Sequence, residues 1–319
     1  MTPVRVAVIG AGQFGRNHLR VVSNLPEATL AAVVDSDPER ARAAAVEFST
    51  VAVGSLDELI GKVDAAIVAV PTIAHGPVGV KLLEAGIDVL VEKPIAPDLE
   101  TAHQLIDAAA RNGRILQIGH LERFNPAILE LAKRITIPLF FEIHRMSLFS
   151  PRSLDVDVVL DLMIHDLDVV LAMTGMLPEE VRASGIRILS QKVDIANVRL
   201  AFPGGCVANI TASRVSTEKV RKLRLFQPHQ YISLDYEKQA AVAFSVSEGQ
   251  QIGFDAFQIP KQEPLKLEVQ AFLNSVVTRA KPLVDGEQGT KALMVALDIL
   301  AKIEEHALVV SKTLEGQSI

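Results

Sequence analysis

Six residues near the start of the chain restrict what it can fold into. Gly10-Ala11-Gly12-Gln13-Phe14-Gly15 fits G-x-G-x-x-G, directly after the apolar run Val4–Ile9 and directly before a stretch with helical periodicity. In a strand–turn–helix setting the three glycines have separate uses. Gly10 permits the tight turn, Gly12 lets backbone approach a pyrophosphate, and Gly15 lets the helix pack closely on the strand. The helix N-terminus then offers free N–H groups to the phosphates, with Gln13 and Phe14 in its first turn. Without context the plainer reading is a glycine-rich turn. The context is supplied by Asp35, 20 residues past Gly15 at the end of the second apolar run, where a carboxylate accepts from a ribose diol. Asp35 and Asp37, with no arginine immediately beside them, favour NAD over NADP. Arg40 is read as a solvated helix residue.

The first 120 residues alternate β-branched runs with helical stretches. Strands are expected at Val4–Ile9, Thr29–Asp35, Ala65–Val70, Asp88–Glu92 and Ile115–Gly119, and helices near Phe14–Asn24, Pro38–Phe48, Ala74–Ala85 and Leu99–Asn112. This alternation implies an α/β fold, a doubly wound parallel sheet with right-handed crossovers. Ligands in such sheets sit beyond the carboxyl ends of the strands. Gly10, Asp35, Pro71, Glu92–Lys93 and Gly119–His120 all follow a strand and so gather along one edge.

After Gly119 the pattern changes. One helix (Pro126–Arg134), one strand (Leu139–Met146) and a long apolar helix (Val156–Met173) precede strand-like runs at Val181–Leu189, Ile195–Phe202, Val207–Ser213, Val220–Phe226 and Tyr231–Asp235. Two helices near Leu265–Arg279 and Glu287–Ala307 close the chain. Consecutive strands without helices between them indicate an α+β domain with a large open, mostly antiparallel sheet. The expected domains are therefore 1–121, binding NAD, and 122–319, binding substrate and a second copy. Whether a closing helix packs back on the first domain is left open.

A length of 319 residues suits two domains. The net charge of −6 argues against a general nucleic-acid or anionic-membrane binder. The single cysteine, Cys206, permits no internal disulfide and no cysteine-rich zinc site. No apolar run reaches the ~18 residues of a membrane span, and Val4–Gly10 is too short for a signal peptide, so a cytoplasmic protein is expected.

Two places carry chemistry. Lys93, in Glu92-Lys93-Pro94 at the end of the Asp88–Glu92 run, would face the crevice near a nicotinamide; an exposed loop lysine is the plainer alternative. On the long apolar helix, Asp157, Asp161, His165 and Asp168 form a polar stripe at helical spacing. Asp161 and His165 are four apart and therefore neighbours, so the carboxylate can fix the tautomer of the imidazole and raise its basicity. The alternative is an ordinary wet helix face. No second histidine is placed to complete a metal site, and no metal is expected.

Together, the Gly10–Gly15 loop, Pro71-Thr-x-x-His75, Glu92-Lys93-Pro94 and Asp161-x-x-x-His165 resemble the glucose–fructose oxidoreductase, inositol dehydrogenase and MocA (Gfo/Idh/MocA) family over nearly the whole chain. The resemblance implies NAD(P)-linked oxidation or reduction of a sugar or cyclitol hydroxyl. It also implies a catalytic group of Lys93, Asp161 and His165, with the proton acceptor left open between Lys93 and His165. For the cofactor it implies Gly10, Gly12, Gln13, Phe14, Gly15, Asp35, Pro71, His75, Glu92 and Lys93. With the sharp turn needed there, it also suggests a cis Lys93–Pro94 bond. A closer resemblance, to the branch acting on C3 of UDP-N-acetylglucosamine, rests on Gly119-His120-Leu-Glu-Arg123-Phe-Asn125-Pro126, on 155–166 and on Thr211-Ala-Ser-Arg214. It implies substrate contacts by His120, Arg123, Asn125, Arg152 and Arg214, and a downstream aminotransferase partner on a route to amide-linked lipid A. Dehydrogenation of a free sugar or inositol is the second reading, and a catalytically inactive nucleotide-binding regulator the third. The alternation of Val207, Asn209, Thr211 and Ser213 with Ala208, Ile210 and Ala212 leaves a mixed sheet face, suited to a homodimer or homotetramer.

Overall fold

The computed structural model describes residues 2–149, 156–247 and 251–315, which group into two units. The first contains Met1–Phe124 and Gln262–Thr290. Its sheet is parallel, with order β2-β1-β3-β4-β5, built from β1 (Val4–Ile9), β2 (Ala28–Val34), β3 (Ala65–Val68), β4 (Asp88–Glu92) and β5 (Leu116–Gly119). The strands are nearly continuous apolar runs because helices cover both faces; Val6, Val8, Ile67 and Leu90 are fully buried. The chain leaves β1 to one side for β2 and to the other for β3. This reversal opens a crevice beyond their carboxyl ends.

Local sequence sets the helix starts. α1 (Gln13–Ser23) begins on Gly12. α2 (Pro38–Glu47) begins where the Asp37 carboxylate accepts from the amides of Glu39 and Arg40, with Pro38 preset for the first turn. α3 is His75–Glu84. α4 (Leu99–Arg111) is capped by Asp98, which accepts from Thr101 N at 2.7 Å. β3 ends at Val68, two residues short of the expected run. Ala69 N still donates to Ile9 O at 2.8 Å, but Gly10, at φ +96°, then presses against Ala69 and turns the ladder off.

The expected boundary at 121/122 does not divide the chain into two continuous pieces. α7 (Pro264–Thr278) clusters with the first unit, where Val269, Phe272, Leu273 and Val276 pack with Leu19, Val22 and Leu25. An apolar face on α1 needs cover, and α7 supplies it.

The second unit contains Asn125–Lys261 and Lys291–Ile319. It opens with α5 (Pro126–Ala132) and β6 (Phe140–Leu148). α6 (Ile164–Thr174) is preceded by one π-helical turn, Val159–Met163, and stops at Gly175, φ +69°. Then follow β7 (Glu180–Ile186), β8 (Ile195–Ala201), β9 (Val207–Ser216), β10 (Val220–Gln227), β11 (Gln230–Asp235), β12 (Ala240–Val246) and β13 (Ile252–Ala256). The eight-stranded sheet has order β13-β12-β11-β10-β6-β9-β8-β7; only β6–β9 is parallel. Alternate residues such as Phe141, Ile143, Ala208, Ile210, Leu223 and Leu225 point into a core shared with Leu167 and Val170 of α6. From α8 (Gly286–Glu315), Val295, Ile299 and Ile303 join the same core. The opposite sheet face carries a row of rings. Phe140, Phe226, Tyr231, Phe244 and Phe254 follow one another with centroids 4.9–6.0 Å apart, and Phe254 is 64% exposed. β12 and β13 had no counterpart in the sequence reading: one is rich in alanine, and the other is a short, fully exposed edge strand containing Gly253. No helix among the described residues is long and apolar enough to cross a membrane.

Candidate active site

The crevice at the strand ends of the first unit is a cleft of about 540 Å3, within the range of small-molecule sites. Gly10, Gly12, Gln13, Phe14, Asp35 and Pro71 line it, joined by Ser36, Arg40, Ala69, Val70, Ala74 and Val78. The glycines differ in what a side chain would meet. A Cβ on Gly15 would strike the Gly10 carbonyl, and one on Gly10 would strike that of Ala69. A Cβ on Gly12 would meet no atom of the described residues within 4 Å. Packing therefore explains Gly10 and Gly15. What the absent Cβ of Gly12 leaves clear is space on the cleft wall at the N-terminus of α1, where a diphosphate would approach. The Asp35 carboxylate accepts from Ala11 N (2.7 Å) and Asp37 N (2.8 Å), which holds it at the cleft's edge. Arg40 is not simply solvated: it lies 3.8 Å from Asp35 and 3.3 Å from Asp37. The donor set and the open space at Gly12 suit a dinucleotide.

Lys93 follows β4 and is half-buried, and its bond to Pro94 is cis. Glu92 is turned inward, accepting from His18 Nε2 at 2.7 Å and from Lys93 N at 3.2 Å. His75 is buried, with Nδ1 2.9 Å from Pro94 O and Nε2 3.0 Å from Val70 O. It thus ties the loop after β3 to the loop carrying Lys93; of the expected cofactor residues, Gly15, His75, Glu92 and Lys93 do not line the cleft. Burial lowers the His75 pKa, against the pull of those carbonyls. His120 is fully buried. Burial first, then the charges of Lys93 and Arg123, push its pKa down to about 3, so the ring is neutral. Arg123 is half-buried and reaches Gln288 Oε1 and Leu283 O, both at 3.4 Å.

In the second unit Asp161 lies in the π-helical turn and His165 in the first turn of α6; both are half-buried. A π turn inside a helix frequently marks a functional site. The expected polar stripe is broken up. Asp157 accepts from Val193 N at 2.8 Å, and Asp168 is buried. Sequence reasoning missed the ion pair beneath it, in which Arg145 meets Asp166 through Nε (2.6 Å) and Nη2 (2.8 Å), both side chains buried. Asn125 caps α5, accepting from Ala127 N (3.0 Å) and donating to Tyr236 O (3.0 Å). Arg214 is also buried and turned to the backbone: its guanidinium donates to Val156 O and to Val193 O, with Asp194 3.8 Å away. Arg152 lies outside the described residues.

A strand–glycine loop–helix crevice followed by an α+β unit defines a class of dinucleotide-linked oxidoreductases. Residues 4–120 match the model described as oxidoreductase family, NAD-binding Rossmann fold, and residues 144–247 match the Gfo/Idh/MocA C-terminal domain. The chain belongs to the Gfo/Idh/MocA oxidoreductase family. It is 36% identical to a UDP-N-acetylglucosamine 3-dehydrogenase of Acidithiobacillus ferrooxidans, over 95% of this chain and 98% of that one. The crystal structure of the enzyme of that name from the same organism superposes with a TM-score of 0.91, covering 96% and 99% of the two chains. An inositol 2-dehydrogenase of Rhizobium meliloti is 24% identical over 92% and 94%. An Agrobacterium radiobacter oxidoreductase in complex with NAD+, L-tartaric acid and magnesium shares the fold at 16% identity, with a TM-score of 0.86 over 95% and 97%.

Proposed function

We propose that this protein is a cytoplasmic, NAD-dependent dehydrogenase that oxidises the C3 hydroxyl of UDP-N-acetylglucosamine to a ketone. The observation that carries this reading is the 36% identity to an enzyme of that activity across 98% of its length. The 3-keto UDP-sugar would pass to a partner aminotransferase on a route to amide-linked lipid A.

Bound NAD would take the hydride. The chain's residues have to hold that cofactor and move a proton. Asp35 would accept from the ribose diol, and Gly12, Gln13 and Phe14 would cradle the diphosphate, with Gly10 and Gly15 fixing the turn that presents them. Pro71 shapes the cleft wall, and His75 and Glu92 act from behind by holding the Lys93 loop. A carbinol loses hydride only as its hydroxyl loses a proton. That requires a base at the oxygen and a positive group to steady the developing charge. We assign His165 as base, oriented by Asp161, and Lys93 as the donor to the same oxygen; exchange of the two roles is what variant kinetics would reveal. Arg123 and Arg152 are assigned to the substrate diphosphate, and His120, being fully buried, shapes the substrate region rather than touching the sugar. Asn125 and Arg214 shape the substrate region through the backbone they hold. The row of rings ending in Phe244 and Phe254 suits burial against a second copy in a homodimer or homotetramer.

The test is NAD reduction by the purified protein with UDP-N-acetylglucosamine, other UDP-sugars, free sugars and inositols. Turnover with UDP-N-acetylglucosamine giving a 3-keto product is expected. Turnover with inositol or a free sugar alone would replace this reading by the second one.

A further inference from the structure

Inside the first unit, three titratable side chains from separate elements meet: His18 of α1, Glu92 at the end of β4 and Glu268 of α7. One nitrogen or oxygen atom from each lies within 4.8 Å of the others. His18 and Glu268 are fully buried. The two carboxyls are provided for very differently. Glu92 accepts from His18 Nε2 and from Lys93 N, and Gly119 makes room for it, since a Cβ there would sit 3.1 Å from Glu92 Oε2. Among the described residues, Glu268 has a hydrogen-bond partner at neither oxygen. An ionised carboxylate buried without a donor keeps none of its hydration, and a second anion this close adds repulsion.

We propose that Glu268 is a positioning residue that works as a neutral carboxylic acid. Its proton stays on the carboxyl, so Glu92 remains the single anion of the cluster and holds the Lys93 amide and the His18 ring. Burial and the Glu92 charge both raise the Glu268 pKa well above the carboxylate range. The elements packed against α7 carry these other charged groups. On α1, Arg16 pairs with Glu47 and Arg20 with Glu263. On the short turn Leu121–Phe124, Arg123 reaches Gln288 and Leu283, Glu122 is buried, and His120 just before it is neutral. The protonation state stands apart from any substrate; its bearing on catalysis rests on the role proposed for Lys93.

The test is infrared spectroscopy of the whole protein labelled with carbon-13 glutamate. At neutral pH the wild type should show the carbonyl stretch of a protonated, buried carboxyl group, and E268Q should lose it. E92Q should keep the band but move its disappearance to lower pH, because the like charge is gone. In parallel, E268Q should retain a kcat roughly tenfold or more above that of E268A, since the neutral isostere preserves the geometry behind Lys93. A wild-type spectrum without the band, or a band that persists in E268Q, overturns the proposal. So does a divalent cation bound by the three side chains, seen as a band that appears only after chelation. Failure of the dehydrogenase assay with every sugar would leave the spectroscopic result intact and count against the proposed function instead.

Discussion

Gly12→Ala and Gly15→Ala should separate the two uses of glycine in the first loop. At Gly12 the new methyl meets no atom of the described residues within 4 Å, and φ is −68°, which any residue adopts. Alanine is a poorer N-cap than glycine by roughly 0.5–1 kcal/mol. Reduced freedom of the unfolded chain offsets that by about 0.4–1 kcal/mol, so folding should be nearly unchanged. Gly15 is the opposite case. Its Cβ would sit 2.7 Å from Gly10 C and closer still to the carbonyl oxygen. Gly10 cannot withdraw, because it is pressed on Ala69 at φ +96°. Overpacking costs typically 1–3 kcal/mol, and an unyielding backbone neighbour puts this case near ~3. For a unit of roughly 150 residues that is a fall in Tm of roughly 6–12 °C. Calorimetry would read the Tm and fluorescence titration the NAD affinity. Gly12→Ala should keep its Tm and lose at least about tenfold in affinity, or ~1.4 kcal/mol. Wild-type NAD affinity in Gly12→Ala, or a loss of Tm equal to that of Gly15→Ala, would refute the division.

Four further outcomes are expected. His165→Ala and Lys93→Ala should each lower kcat by roughly 10²–10⁴-fold with NAD affinity held, and Asp161→Asn should cost less, by steady-state kinetics on the true substrate. Asp35→Ala should weaken NAD and narrow its advantage over NADP in paired titrations. Arg145→Ala should destabilise by about 3–5 kcal/mol in denaturant unfolding, because it leaves Asp166 buried without its partner. Asp194 is buried, which would raise its pKa, but the Ser190 hydroxyl and the amides of Ile188, Leu189 and Ser190 outweigh that and hold it at about 2. Its contribution is therefore complete above the ordinary value of 3.8 and is lost as pH falls through about 2. Amide exchange of 188–190 should accelerate in that window, and Asp194→Asn should abolish the change.

The first sheet was legible because buried parallel strands advertise themselves. Val4–Ile9 and Asp88–Glu92 are bounded as their apolar runs suggest, and Asp98 and Asp37 sit where caps are needed. The glycine loop was legible too, since each glycine answers to a contact or to a gap. What the sequence hid was partnership across long separations. Nothing local ties Arg145 to Asp166, and Asp157 and Asp168 read as part of one polar stripe with Asp161 and His165 until tertiary packing divided it. Glu268 left a trace that went unread: it falls on the face of α7 that carries Phe272, Val269 and Val276, a core position occupied by a carboxyl. His18 left a similar one, three residues beyond Gly15 on the buried face of α1. The π turn before α6 has no signature in hydrophobic periodicity, so Asp161 and His165 were paired on α-helical spacing alone.

The return of Gln262–Thr290 to the first unit has a consequence for the order in which the chain acquires structure. Synthesis runs from the N-terminus, and domains made first generally fold first. Here the nucleotide-binding unit, although begun before the second, lacks α7 until the chain has been made past residue 278. Until then the α1 surface around Leu19 and Val22 has no Phe272 or Leu273 to cover it. The second unit's sheet, from β6 to β13, is by that time fully synthesised. The unit that starts the chain is therefore completed only after the sheet of the unit inserted within it has emerged.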